Sequence, residues 1–201
     1  MAKSRSKSGD QQNAIDLLLE DHKTVQKLFK EFEKADREDT EAIEQLVTTA
    51  CRALKVHSML EKELFYPAVR DQVEEDEDED LLNEADVEHQ TVDQLIDTIE
   101  GMDADDPMYC AYFTVVSEYV QHHVKEEEKE MFPRVKKMKE LDLDALGSEM
   151  MQRKHELATE LGGADDAELQ ELDEDDEASA SAGEEELEGA DDKPSRSRGR
   201  R

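Results

Sequence analysis

Between Asp10 and Gly162 apolar residues return every three or four positions, the spacing of one face of an α-helix. A first stripe holds Ile15, Leu18, Leu19, Val25, Leu28, Phe29 and Phe32, and a second Ile43, Leu46, Val47, Ala50, Leu54, Leu60 and Leu64. The third runs through Leu82, Ala85, Val92, Leu95, Ile96 and Ile99, and the fourth through Ala111, Tyr112, Val115, Val116, Tyr119 and Val120. A shorter fifth holds Leu143, Leu146, Met150, Leu157 and Leu161. Breaks fall at 36–40, at the acidic run Glu74 to Asp80, which reads as a solvated loop, and at Gly101 to Pro107. The pattern predicts an all-α fold, a four-helix up-down antiparallel bundle with a short fifth helix flanking it.

The two halves of this region repeat each other. Glu20 to Glu33 (EDHKTVQKLFKEFE) aligns with Val87 to Glu100 (VEHQTVDQLIDTIE) at a shift of 67, with an acid before His and then Thr, Val and Leu at equal offsets. His57 to Val69 (HSMLEKELFYPAV) aligns with His123 to Val135 (HVKEEEKEMFPRV) at a shift of 66, sharing His, Glu four later, Pro ten later and Val twelve later. Two motifs repeating in one order at nearly one distance indicate a duplicated helical hairpin with pseudo-two-fold symmetry.

What repeats is chemically specific. His22, His57, His89 and His123 all lie on the apolar faces, and Glu61 and Glu127 follow two of them by four residues, one helical turn further along the same side. A carboxylate aimed into an apolar interior is strongly penalised unless it is paired or coordinates a metal. One HxxxE pair means little in a chain so rich in Glu; four histidines and two glutamates in register point to a metal site. His122 also has an acid four later, Glu126, but the Pro offset selects His123 and Glu127, leaving His122 at the surface or beside a ligand. His155 lies outside the repeat. Imidazole and carboxylate without thiolate suit iron or manganese better than a structural zinc site.

Charge then divides the chain. The 201 residues carry a formal net charge of −31. The stretch Gly163 to Asp192 holds fifteen acids and no base, has almost nothing to bury, and is expected to be disordered. Residues 1–9 and 193–201 are basic ends, whose expected roles are contact with nucleic acid or, better supported, pairing with the tethered acidic tail. The central 10–162 remains acidic in its own right, with 41 acids against 17 bases, which argues against nucleic-acid binding by the bundle. No apolar run reaches membrane-spanning length and the basic start lacks the core of a secretory signal, so a cytoplasmic protein with no membrane partner is expected. Cys51 and Cys110 form no CxxC pair and read as reduced core thiols.

With those residues in view, the sequence resembles the hemerythrin-like (HHE cation-binding) family over about residues 14–140, through His22, the HSMLE segment, His89, the HVKEE segment and the Phe-Tyr-Pro and Met-Phe-Pro turns. The resemblance implies a non-haem diiron centre, two iron ions with an oxo or hydroxo bridge. His22, His57, His89 and His123 would be terminal ligands and Glu61 and Glu127 bridging carboxylates. An octahedral iron so held keeps a position that a water or a diatomic can occupy. Oxygen-carrying hemerythrins place another His one turn after the third-helix ligand, where this chain has Asp93, and that departure argues against a reversible oxygen carrier. Asp93 is expected to be solvated or to support a ligand rather than coordinate.

Three functions follow as expectations. The first is binding of oxygen, nitric oxide or peroxide for sensing or stress protection. The second is an enzyme at the same metal pair, removing peroxide or repairing nitrosative damage, with Tyr119 as the best proton donor. The third is iron handling, with the acidic surface gathering cations.

Overall fold

The computed structural model describes residues 12–73 and 75–162; the expected acidic tail and both basic ends lie outside them. Five long helices account for most of this, with no strand among the described residues. Helix α1 (Ala14–Lys34) begins at Asn13, whose side chain accepts from the Asp16 amide, and α2 (Thr40–Leu60) begins at Asp39, which accepts from the Ala42 amide. Helix α3 spans Asp76–Glu100, α4 Tyr109–Glu126 and α5 Leu143–Glu160, the last capped by Asp142 on the Ala145 amide. Helix α1 packs on α2 and α3 on α4, the two hairpins of the duplication; α2 meets α3, α1 meets α4, and α5 lies along α1 and α2.

From Asp76 onward the acidic run is helix, not loop. Asp76, Glu77, Asp78 and Glu79 form the first turn of α3, where carboxylates meet the positive end of the helix dipole. Arg70 reaches Glu79 and Asp86 while Arg134 holds Asp78 at 2.8 Å, so bases from both hairpins neutralise it. The run is solvated as its composition implies, with Asp76, Glu77 and Asp80 exposed, but helix electrostatics make it a helix start.

Helix α4 also departs from its expected face. Its buried residues are Tyr109, Phe113, Val116, Ser117, Val120, His123 and Val124, whereas Val115 and Tyr119 are exposed. Two apolar stripes run side by side on this helix, and the expected face from Ala111 to Val120 straddles them. Phe113, fully buried, meets Phe29 and Phe32 edge-on. Helix α5, at 18 residues, is longer than a short flank. Gly147 lets it cross the start of α1: a Cβ there would fall 2.5 Å from the Gln12 carbonyl oxygen. Cys51 is buried, its thiol pushed up to about 12 by desolvation, while Cys110 is only half-buried.

Both α2 and α4 continue through one π-helical turn, Glu61–Phe65 and Glu127–Met131, into a last helical turn, Tyr66–Arg70 and Phe132–Val135. A proline follows each widened turn, at 67 and 133. Proline cannot donate to the preceding turn and its ring crowds the carbonyl four residues back, so widening the turn relieves the clash. In the π-turn the Tyr66 amide donates to the Glu61 carbonyl and the Phe132 amide to the Glu127 carbonyl, five residues back. Residues five apart, about 140° apart around an α-helix, therefore come onto one face.

Candidate metal centre

The middle of the bundle lies between two apolar layers. On one side of His22, Ile15 and Leu18 join Leu60, Phe65, Phe132 and Met150; on the other, Phe29 and Phe32 join Phe113. Between them His22 (α1), His57 (α2), His89 (α3) and His123 (α4) meet Glu61 and Glu127 from the π-turns, all buried. Every residue singled out from the repeat is present. Glu61 Oε2 lies 3.2 Å from His57 Nε2 and 3.3 Å from His89 Nε2. Glu127 Oε2 lies 3.2 Å from His22 Nε2 and 3.5 Å from His123 Nε2. Each carboxylate is thus approached by one imidazole from each hairpin.

Both Glu61 oxygens, Glu127 Oε2, His22 Nε2 and His57 Nε2 are buried without a hydrogen-bond partner. Buried polar atoms normally find partners, so their convergence needs an explanation. A cation would supply it: His22, His57, Glu61 and Glu127 can offer one set of ligand atoms, and Glu61, His89 and His123 another, each within 4.8 Å. The donors are nitrogen and oxygen only, a set that fits iron.

Supporting groups aim the rings. His22 Nδ1 lies 3.0 Å from Glu128 Oε1, His89 Nδ1 2.8 Å from Ser58 Oγ, and His123 Nδ1 2.8 Å from Glu88 Oε2. His57 Nδ1 faces Asp21 Oδ2 at 3.6 Å, beyond hydrogen-bond reach but close enough to orient by charge. Asp21 is itself held by Lys154 of α5 at 2.7 Å. All four rings therefore turn Nε2 inward, the arrangement that outer carboxylates enforce on metal-binding imidazoles. Asp21 and Glu88 are the acids preceding His22 and His89 in the repeat; each serves the histidine of the neighbouring helix rather than its own neighbour. Their repetition was the signal.

Electrostatics separates the groups. Burial together with the Glu127 charge pushes Glu61 up to about 7. Burial would raise Glu127 too, but His123 and His22 hold it below the carboxylate range. Burial and the neighbouring His123 pull His89 down to about 4; against the same burial, Glu127 and Glu88 lift His123 to about 9. Their Nε2 atoms are 3.0 Å apart, close enough to share one proton. Metal binding displaces such protons.

Tyr66, which helical periodicity does not mark, also enters the cluster. Its hydroxyl donates to Glu127 Oε1 at 2.9 Å and lies 3.0 Å from His89 Nε2 and 3.5 Å from His123 Nε2. Desolvation and the two glutamates raise its pKa well above the ordinary phenol value, so it stays protonated. Tyr119, the expected donor, is 46% exposed and belongs to the outer surface. Asp93 pairs with Lys62 at 2.7 Å and takes no part in the cluster. His122 is at the surface, beside Glu126 and Glu88.

A family model, the hemerythrin HHE cation-binding domain, matches residues 13–135. Among solved structures the chain is similar to a hemerythrin HHE cation-binding domain-containing protein from Mycobacterium kansasii, with a TM-score of 0.62 and 23% identity over 74% of this chain and 89% of that one. At that identity the likeness carries the fold. No curated protein matches significantly. No helix among the described residues is long and apolar enough to cross a membrane.

Proposed function

The chain belongs to the hemerythrin HHE cation-binding domain family, and from that premise we propose that His22, His57, His89, His123, Glu61 and Glu127 hold two iron ions that take up oxygen, nitric oxide or peroxide for sensing or stress protection. The observation that carries this reading is the set of partnerless buried ligand atoms contributed by both hairpins. When bound, the metal pair supplies reversible ligation or redox chemistry toward a small oxygen- or nitrogen-containing ligand. The chain does the rest. Glu128, Ser58, Glu88 and Asp21 fix the ring orientations, and the Tyr66 hydroxyl keeps a proton beside Glu127 and His89. A cavity of about 30 Å³, walled by Leu54, Val92 and Val120, opens against His57, His89 and His123. It has room for about one water-sized guest, and its apolar walls favour a small neutral ligand over a hydrated anion.

Tyr66 favours a second reading, an enzyme that removes peroxide or repairs nitrosative damage. It is the buried, proton-bearing group at the centre that such chemistry calls for. Metal analysis of the purified protein, then optical spectra with oxygen and nitric oxide and a peroxide-turnover assay, tests both. About two irons per chain, as for dimetal sites of bundle cores, with ligand-dependent spectra supports the first reading. Sustained peroxide turnover selects the second, and a protein without iron contradicts both.

A further inference from the structure

Outside the buried cluster, Glu88, His122 and Glu126 bring together a second set of ligand atoms, all within 4.8 Å of one another. His122 Nε2 lies 3.3 Å from Glu126 Oε1 and 3.7 Å from Glu88 Oε1, and the His122 side chain is 58% exposed. The two Glu88 oxygens face different ways: Oε1 turns to His122, while Oε2 holds His123 Nδ1 at 2.8 Å. One carboxylate therefore joins a solvent-exposed imidazole to an imidazole of the buried centre.

A cavity of about 10 Å³ lies between the two sets. Glu88 and Glu126 line it from outside, His123 and Glu127 from inside, with Leu81 and Met131 as apolar wall. That is close to the smallest space that admits one water. Glu127 is 1% exposed, and its Oε2 has no hydrogen-bond partner. The cavity thus joins the two outer carboxylates to Glu127, a carboxylate of the buried cluster.

We propose that Glu88, His122 and Glu126 form a capture site for a divalent first-row transition ion, from which it passes by the small cavity to Glu127 and the buried centre. Two carboxylates and one imidazole on an exposed rim suit a weak, open site with water completing the shell. The acidic surface of residues 10–162 raises the local cation concentration around it. Glu88 also borders the larger cavity beside Leu54 and Val120, whose mostly apolar walls suit an uncharged guest. The passage rests on the reading of the buried cluster as a metal centre; capture at the rim does not.

The test uses full-length protein, iron-loaded and washed with chelator, titrated with Co²⁺ and followed by visible absorption, alongside His122→Ala and Glu126→Gln. Both substitutions sit at the rim and leave the six buried ligands in place. Expected is one Co²⁺ beyond the chelator-resistant metal, weakened at least tenfold in each variant, with the resistant metal unchanged. Weak binding by the acidic tail is common to all three proteins and cancels. Ferrous uptake by the chelated protein, followed by stopped flow, should slow several-fold in both variants. Co²⁺ binding unchanged in His122→Ala overturns the capture site, and unchanged uptake overturns the passage. Wild-type protein with no chelator-resistant metal contradicts the buried centre instead, and the Co²⁺ titration then judges the rim on its own.

Discussion

His22 and His57 sit in one setting and His89 and His123 in another, although duplication placed them in equivalent positions. Phe132 stacks on His22, and the outer nitrogens of both rings in that half face carboxylates, Glu128 and Asp21. In the other half the position of Phe132 is taken by Tyr66, whose hydroxyl enters the cluster, and His89 is oriented by the neutral Ser58. A carboxylate behind an imidazole makes it a stronger donor than a hydroxyl does. The equivalent histidines His22 and His89 therefore differ in charge state: glutamates raise His22 against the effect of burial, whereas burial and His123 bring His89 down to about 4. The repeat preserved the inward-facing donors and let the residues behind them diverge. The first half is built to grip a cation, and the second to place a proton beside one.

Removing a donor that serves both halves should have the largest effect. Glu61→Ala should lower iron from about two per chain to below one, and His57→Ala should also lower it sharply. Full retention in both variants would remove them as ligands. Next in size, Glu128→Gln and Glu88→Gln should each weaken metal affinity about 10- to 100-fold, because each ring loses its charged orienting partner. Competition with a chelator reads this out. If Ser58→Ala weakens affinity as much as Glu128→Gln, the proposed inequality of the halves is wrong.

Tyr66→Phe makes the halves alike at this position and should act more gently. It leaves the Glu127 oxygen without its donor, at a cost of about 1–2 kcal/mol, with the iron count unchanged. The optical response to peroxide or nitric oxide should change; an unaltered spectrum and turnover would make Tyr66 a packing residue only. The smallest expected effect is none: deleting 163–201 should leave metal content and helicity per folded residue as they are. Iron loss on truncation would bring the tail into the site.

The repeat made the proposed ligands legible, since His22 and His89, or Glu61 and Glu127, stand at matching offsets that composition alone rarely produces. Helical periodicity likewise exposed the bundle. It failed where the helix itself changes pitch. Counted at 3.6 residues per turn, Tyr66 falls off the face of His57 and Glu61, and only the π-turn before Pro67 returns it. Tyr119 was favoured by the same count, one turn before His123, but α4 turns Phe113 and Val116 inward instead. The acids at 76–79 have the charge density of a loop, and only the helix dipole and Arg134 make them a helix start. Lys154, reaching Asp21 from α5, depends on tertiary packing and left no mark in the sequence.

That six residues form one metal centre in the folded chain is tested most directly by matched melting curves of chelated and iron-loaded protein at pH 6.5 and 8.5. Without metal, the folded state holds protons that the unfolded chain releases sooner. Glu61 is raised to about 7 and His123 to about 9, so the stability tied to those protons is lost as pH rises through these values. His89, lowered to about 4, works in the opposite sense, but its contribution is essentially complete above about pH 6.5. The chelated protein should therefore melt lower at pH 8.5 than at pH 6.5. Iron replaces those protons and stabilises the fold by binding it in preference to the unfolded chain. The account predicts that the iron-loaded form melts higher at both values, with the gap wider at pH 8.5; equal melting temperatures at both would contradict it.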